Sequence, residues 1–214
     1  MLLKELREIV CEQNKRLVAE KLVRLTSGNV SGKDQKENLM VIKPSGLPFD
    51  QLTPENMVVM NMDGKVVEGE LKPSSDAYTH LVVYRNMSWV NGVTHTHSNY
   101  ATAWAAIGKP IPVCLTAQCD SFGCEIPLGK FCLIGHEQIG IEIVNSIGNA
   151  KAILMQNHGV FAIGKSPKES VNYAVTVEDI AKTMAIASAM GNPKIIDPND
   201  VKAAHERYVK DYGQ

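Results

Sequence analysis

The segment MVVMNMDGKVVEGEL, residues 57–71, alternates around Asp63-Gly64, a two-residue turn signal that joins antiparallel strands. A sheet that contains such a hairpin cannot be wholly parallel, and that restricts the architecture more than any other local feature. Helical patterns flank it. Residues 1–23 place Leu2, Leu3, Leu6, Ile9, Val10, Leu17 and Val18 between charges at helical spacing. Near the other end, Ser166-Pro167 supplies an N-cap and first-turn pair for a long helix to Met190, with Gly191 as its stop, and Pro198 opens a last helix toward Tyr208. Strands between helical ends predict an α/β fold, a single layered domain over residues 1–214 with a largely antiparallel central sheet flanked by helices.

Between the ends, TSGNVSG (residues 26–32) reads as a turn-rich loop, and LMVIKPSGLPF (39–49) as a short strand closed by Pro44, Ser45 and Gly46. KPSSDAYTHLVVYRNM (72–87) reads as a helix with Ser74 or Ser75 as N-cap and Asp76 in its first turn. WVNGVTHTHS (89–98) and IPVCLT (111–116) read as strands, and AILMQNHGVFAIG (152–164) as a strand pair around Asn157-His158-Gly159.

Net charge separates the possible partners. With 22 basic and 23 acidic residues the formal charge is −1, so no basic field favours nucleic acid or an anionic membrane surface. Neither a secretory apolar core nor a membrane-length apolar run is present, and the chain is expected to be cytoplasmic. The five cysteines are odd in number; three of them, Cys114, Cys119 and Cys124, recur every five residues without a Cys-x-x-Cys pair. That pattern argues against both a disulfide framework and a thiolate metal site.

The chemistry concentrates in THTHSNY, residues 94–100. On a strand, positions i and i+2 point to one face about 6.6 Å apart, so the imidazoles of His95 and His97 can lean onto one ion; on a helix they would splay apart. The alternative is a solvated strand face on which histidine alternates with threonine. Catalytic zinc takes three protein ligands and an open position. His158, at the end of an apolar run, is the best third candidate, and Asp76 is a carboxylate that could join them. Asp76 taken alone would be a helix N-terminal charge. Serine hydroxyls and free helix amides form a phosphate pocket, and Ser74 and Ser75, with Lys43, Ser45, Gly46 and Asn29, supply such donors. Asp120 in QCDSFG taken alone is a loop or cap aspartate.

The motifs SGNVS, IKPSG, EG-x-x-KPSSD-x-x-TH, V-x-HTHS, the aspartate before IP and NHG-x-F-A-x-G occur in an order that resembles the class II aldolase/adducin superfamily over nearly the whole chain. Within it the L-ribulose-5-phosphate 4-epimerases look most similar. Asp76 stands where the sister L-fuculose-1-phosphate aldolases carry a catalytic glutamate, the epimerase-type aspartate is present at Asp120, and the chain ends in Tyr212-Gly-Gln.

The resemblance implies a zinc ion on His95, His97 and His158 with Asp76 as a fourth ligand or close neighbour. It implies a phosphorylated sugar held by Asn29, Lys43, Ser45, Gly46, Ser74 and Ser75. Asp120 and Tyr212 would be the acid/base pair. A homotetramer is implied as well, with Tyr212 reaching a neighbouring subunit's site. The rival activity is a class II sugar-phosphate aldolase of the L-fuculose-1-phosphate type. The segment between Asp120 and His158 is shorter than the resemblance leads one to expect, so roles for Thr116, Glu137 and His205 carry over least.

Overall fold

The computed structural model describes residues 1–211; Tyr212 lies outside the described residues. In chain order the elements are α1 (Lys4–Ala19), β1 (Asn29–Asp34), β2 (Leu39–Ile42), β3 (Val58–Asn61), β4 (Val66–Glu68), α2 (Ala77–Asn86), β5 (Gly92–Thr96), α3 (Asn99–Ala106), α4 (Thr116–Phe122), β6 (Leu128–Gly129), α5 (Gln138–Ser146), β7 (Ala152–Met155), β8 (Gly159–Gly164), α6 (Pro167–Met190) and α7 (Pro198–Asp211). The strands form one sheet in the order β4-β3-β2-β1-β5-β8-β7-β6. Every neighbouring pair is antiparallel except β6 with β7. This is the layered, largely antiparallel α/β domain expected from the hairpin and the helical ends.

Both faces of the sheet are covered, and strand alternation sorts the side chains between them. Val41, Leu154, Val160 and Ala162 pack into one cluster with residues of α1, α3 and α6. Their neighbours Met40, Ile42, Ile153, Phe161 and Ile163 pack into a second with residues of α2 and α5. β5 follows the same rule, since Val93 joins the α2 face while Thr94 Oγ1 lies 2.7 Å from Ser170 Oγ of α6. His95, two residues after Val93, therefore points to the α2 face.

Three local expectations are corrected. TSGNVSG is a loop only over residues 26–28; Asn29–Asp34 is β1, paired with β2 on one side and β5 on the other. Its composition is poor in β-formers, but two flanking strands satisfy its backbone, and that pairing overrides propensity. Residues 111–116 are not a strand. Ile111 makes a single bridge to Ile126 and the chain enters α4 at Thr116, so Asp120 sits on a helix. Neither Ser74 nor Ser75 is the N-cap of α2. That position is Asp76, whose side chain makes no capping bond because it is engaged elsewhere. By contrast, the Ser166 cap accepts from Glu169 N, and α6 runs from Pro167 to Met190 with Gly191 at its end, as the sequence predicts. The five cysteines are free thiols.

Candidate metal centre and phosphate pocket

His95 is the penultimate residue of β5, and His97 follows the strand's last residue. His158 lies in the turn between β7 and β8, next to Asn157 at φ 57°. The antiparallel register of β5 with β8 sets His95 opposite Phe161 and Thr96 opposite Val160, which carries the His158 turn to the same end of the sheet. Gly159 is required there, since a Cβ would stand 2.4 Å from Thr96 O and 2.8 Å from His97 Cδ2. The ring centroids are 4.6 Å (His95–His97), 4.7 Å (His95–His158) and 5.1 Å (His97–His158) apart.

The donor chemistry suits a divalent cation. His95 Nδ1 lies 2.9 Å from Val160 O; a carbonyl only accepts, so Nδ1 carries the proton and Nε2 keeps its lone pair. That Nε2 is 2.9 Å from His97 Nε2, and the three histidines' ligating nitrogens all lie within 4.8 Å of one another. Tetrahedral zinc at about 2.0–2.1 Å from each nitrogen needs them about 3.3 Å apart, a value these separations bracket. His158 Nδ1 is buried without a hydrogen-bond partner. Burial lowers the proton affinity of all three rings, His95 down to about 3, and a neutral imidazole is the form that ligates.

Asp76 is buried, and its Oδ2 accepts from Asn29 Nδ2 at 2.7 Å. Burial works against its charge, but His95, His80, the Asn29 donor and His158 together hold the carboxyl below its usual range. Asp76 lines the same pocket as the histidines, yet among the described residues the cluster of mutually close donors comprises only the three histidines. Asn29, expected among the phosphate donors, directs its Nδ2 to Asp76 and, at 3.0 Å, to Ser74 Oγ.

The pocket is a cavity of about 260 Å³ beside the histidines. Its wall comes from two loops zipped together by Ser45 N to Lys72 O at 2.8 Å and Ser74 N to Lys43 O at 3.0 Å. Asn29, Lys43, Ser45, Gly46, Ser74, Ser75, Asp76, His95, His97 and His158 all line it. Lys43 is 1% exposed, its Nζ donating to Thr26 O and Pro44 O at 3.1 and 3.3 Å. Among the described residues no carboxylate lies within ion-pair distance of it. Burial pushes its pKa down to about 8, with Asp76 opposing, and an anion in the pocket would push it back up.

Asp120 is not part of that wall. It lies on α4, against α7, where His205 Nδ1 is shared between Cys119 O at 3.0 Å and Asp120 O at 2.9 Å. Its Oδ1 is buried without a partner.

Sequence reasoning carried His80 in the KPSSD-x-x-TH motif but gave it no role; it is fully buried one helical turn beyond Asp76, its Nδ1 2.7 Å from Ser31 Oγ, and the i, i+4 spacing was a usable signal. That reasoning missed Ile134, among the described residues the one hydrophobic side chain on the pocket wall, for which the sequence holds no marker.

The match to the model of the class II aldolase and adducin N-terminal domain spans residues 8–185. The chain belongs to the class II aldolase and adducin family. Solved structures agree with this assignment. An L-fuculose 1-phosphate aldolase shares 28% identity with a TM-score of 0.91, over 95% of this chain and 96% of that one. YgbL of Escherichia coli shares 23% identity with a TM-score of 0.83, over 94% and 98%. The L-fuculose-1-phosphate aldolase of Thermus thermophilus shares 22% with a TM-score of 0.75, over 89% and 98%. The last two, at this identity, speak to the fold alone. Among the described residues no helix is long and apolar enough to cross a membrane.

Proposed function

We propose that this class II aldolase family member is a cytoplasmic epimerase that interconverts L-ribulose 5-phosphate and D-xylulose 5-phosphate, with zinc on His95, His97 and His158. The observation that carries the reading is Asp76. In the aldolases that the chain resembles, a catalytic glutamate stands at this point. Here the side chain is one methylene shorter and its Oδ2 is tied to Asn29 at 2.7 Å. A carboxylate so tethered beside the histidines suits a metal ligand or neighbour better than a mobile acid/base.

The inverted carbon, C4, bears a hydroxyl and no acidic proton, so its configuration changes by breaking and remaking the C3–C4 bond. The fragments are the enediolate of dihydroxyacetone and glycolaldehyde phosphate. When bound, the metal supplies Lewis acidity toward the ketone and adjacent hydroxyl oxygens of the sugar. Lys43, with the hydroxyls and amides of Ser45, Gly46, Ser74 and Ser75, retains the phosphate while the aldehyde turns its other face. Protons must be handled on both faces of C4, and these roles fall to Asp120 and Tyr212. Tyr212 reaches the site of a neighbouring subunit in a homotetramer, and Asp120, which does not line its own chain's pocket, would meet a site only in such an assembly.

The second reading is an aldolase that releases both fragments, favoured by the 0.91 TM-score to an L-fuculose 1-phosphate aldolase. Carbon NMR of the zinc-loaded protein with L-ribulose 5-phosphate separates the two. Conversion to D-xylulose 5-phosphate without free dihydroxyacetone supports the epimerase. An inert pentulose phosphate together with cleavage of L-fuculose 1-phosphate transfers the assignment to the aldolase.

A further inference from the structure

Helix α6 grips the segment that carries the histidines along one face. At its start, a Cβ on Gly92 would stand 2.1 Å from Ser166 O and 2.5 Å from Pro167 N, so β5 begins in direct backbone contact with the helix. One turn on, Ser170 Oγ meets Thr94 Oγ1 at 2.7 Å. Two turns further, Glu178 accepts from Tyr100 N at 3.0 Å through Oε1 and from Ala101 N at 2.9 Å through Oε2. Finally, Trp104 Nε1 donates to Ala181 O at 3.2 Å. The spacing of residues 166, 170, 178 and 181 keeps these contacts on one side of the helix.

The Glu178 contact bears directly on His97. His95 is oriented by its own bond to Val160 O, whereas among the described residues the ring of His97 has no hydrogen bond except the one it shares with His95. Its position therefore depends on the backbone either side and on the close seat that Gly159 provides. Upstream, β5 fixes that backbone through Thr96. Downstream, only Ser98 separates His97 from α3, whose first turn offers free amides at the positive end of the helix. Glu178 takes two of those amides with a charge-assisted pair of bonds.

We propose that Glu178 is a positioning residue for the metal centre, which holds the start of α3 and thereby the ring of His97. The inference rests on the reading of His95, His97 and His158 as metal ligands. Removing Glu178 frees two amides next to the ligand and loosens His97 alone, because His95 keeps its carbonyl partner.

The test is cobalt(II) titration of the metal-stripped full chain, read by its visible absorption, together with amide exchange at Tyr100 and Ala101. Outer partners of metal-ligating groups typically change affinity 10–100-fold. Glu178→Ala should weaken cobalt binding by about that factor, alter the absorption of the saturated protein and speed exchange at the two amides before metal is added. Glu178→Gln, which retains one accepting oxygen, should fall between that variant and the wild type, and the exposed neighbour Asp179→Ala should match the wild type. Wild-type affinity and spectrum in Glu178→Ala would overturn the proposal; should that variant fail to fold, the same result in Glu178→Gln would do so. A wild-type chain that takes up no cobalt defeats the metal reading and this inference together. The accelerated exchange in Glu178→Ala would then still report the clamp on α3.

Discussion

Asn14 gives the sharpest thermodynamic test of how the pocket's central strand is held. It is fully buried on α1. Its Nδ2 donates to Val10 O at 2.8 Å and Val30 O at 3.0 Å, and its Oδ1 accepts from Val30 N at 2.9 Å. The pairing of β1 with β2 begins at Ser31, so at Val30 this side chain takes the place of a strand. Asn14→Ala leaves both the N–H and the C=O of Val30 without partners in a site that solvent does not reach. Each buried orphan costs about 1–3 kcal/mol, which makes the expected loss about 4 kcal/mol, a large part of the roughly 5–15 kcal/mol that holds a domain folded. Asn14→Asp keeps the acceptor for Val30 N but turns a second oxygen toward two carbonyls. It should be at least as damaging at pH 7 and should recover partly in acid, where a protonated carboxyl can donate again. Urea unfolding followed by the fluorescence of Trp89 and Trp104, at one fixed protein concentration, measures both variants. A loss under about 1 kcal/mol for Asn14→Ala would refute the claim that this residue completes the sheet.

Other perturbations test the site itself. Burial depresses His80 from 6.5 to about 4, so the folded state resists its protonation. Its contribution is fully present above about pH 6.5 and falls away as the pH drops toward 4, by about 3 kcal/mol at 1.36 kcal/mol per unit; a His80→Gln variant should show a flatter acid limb, and an unchanged slope would exclude His80 as its source. Gly159→Ala, whose Cβ meets Thr96 O and His97 Cδ2 at 2.4 and 2.8 Å, should lower zinc affinity by about tenfold or more in a chelator competition, and undiminished affinity would mean that His97 is not a ligand. Lys43→Ala should raise KM for a phosphorylated sugar about 10–100-fold with a smaller change in kcat, as loss of a charge-assisted bond to a bound anion implies. A fall confined to kcat would move Lys43 from phosphate binding to the chemical step.

Where residues close in sequence determine structure, the chain could be read directly. Asp63-Gly64 makes its hairpin between β3 and β4, Ser166-Pro167 and Gly191 bound α6, and the His-x-His pair rides at the end of a strand that leans both rings to one face. These features follow from turn conformations, helix caps and the two-residue period of a strand, which act within a few residues. The long-range arrangement was decided by the fold. NVSGKD became the strand between β2 and β5 because those neighbours supply backbone partners that its own side chains do not announce. Asp76 left the capping role that its position suggests because Asn29, 47 residues earlier, offers its amide at 2.7 Å. Asp120 went onto α4 and away from its own chain's pocket. A sequence fixes which groups a segment can offer; which group finds a partner across the sheet depends on burial and register, and those exist only once the layers are packed.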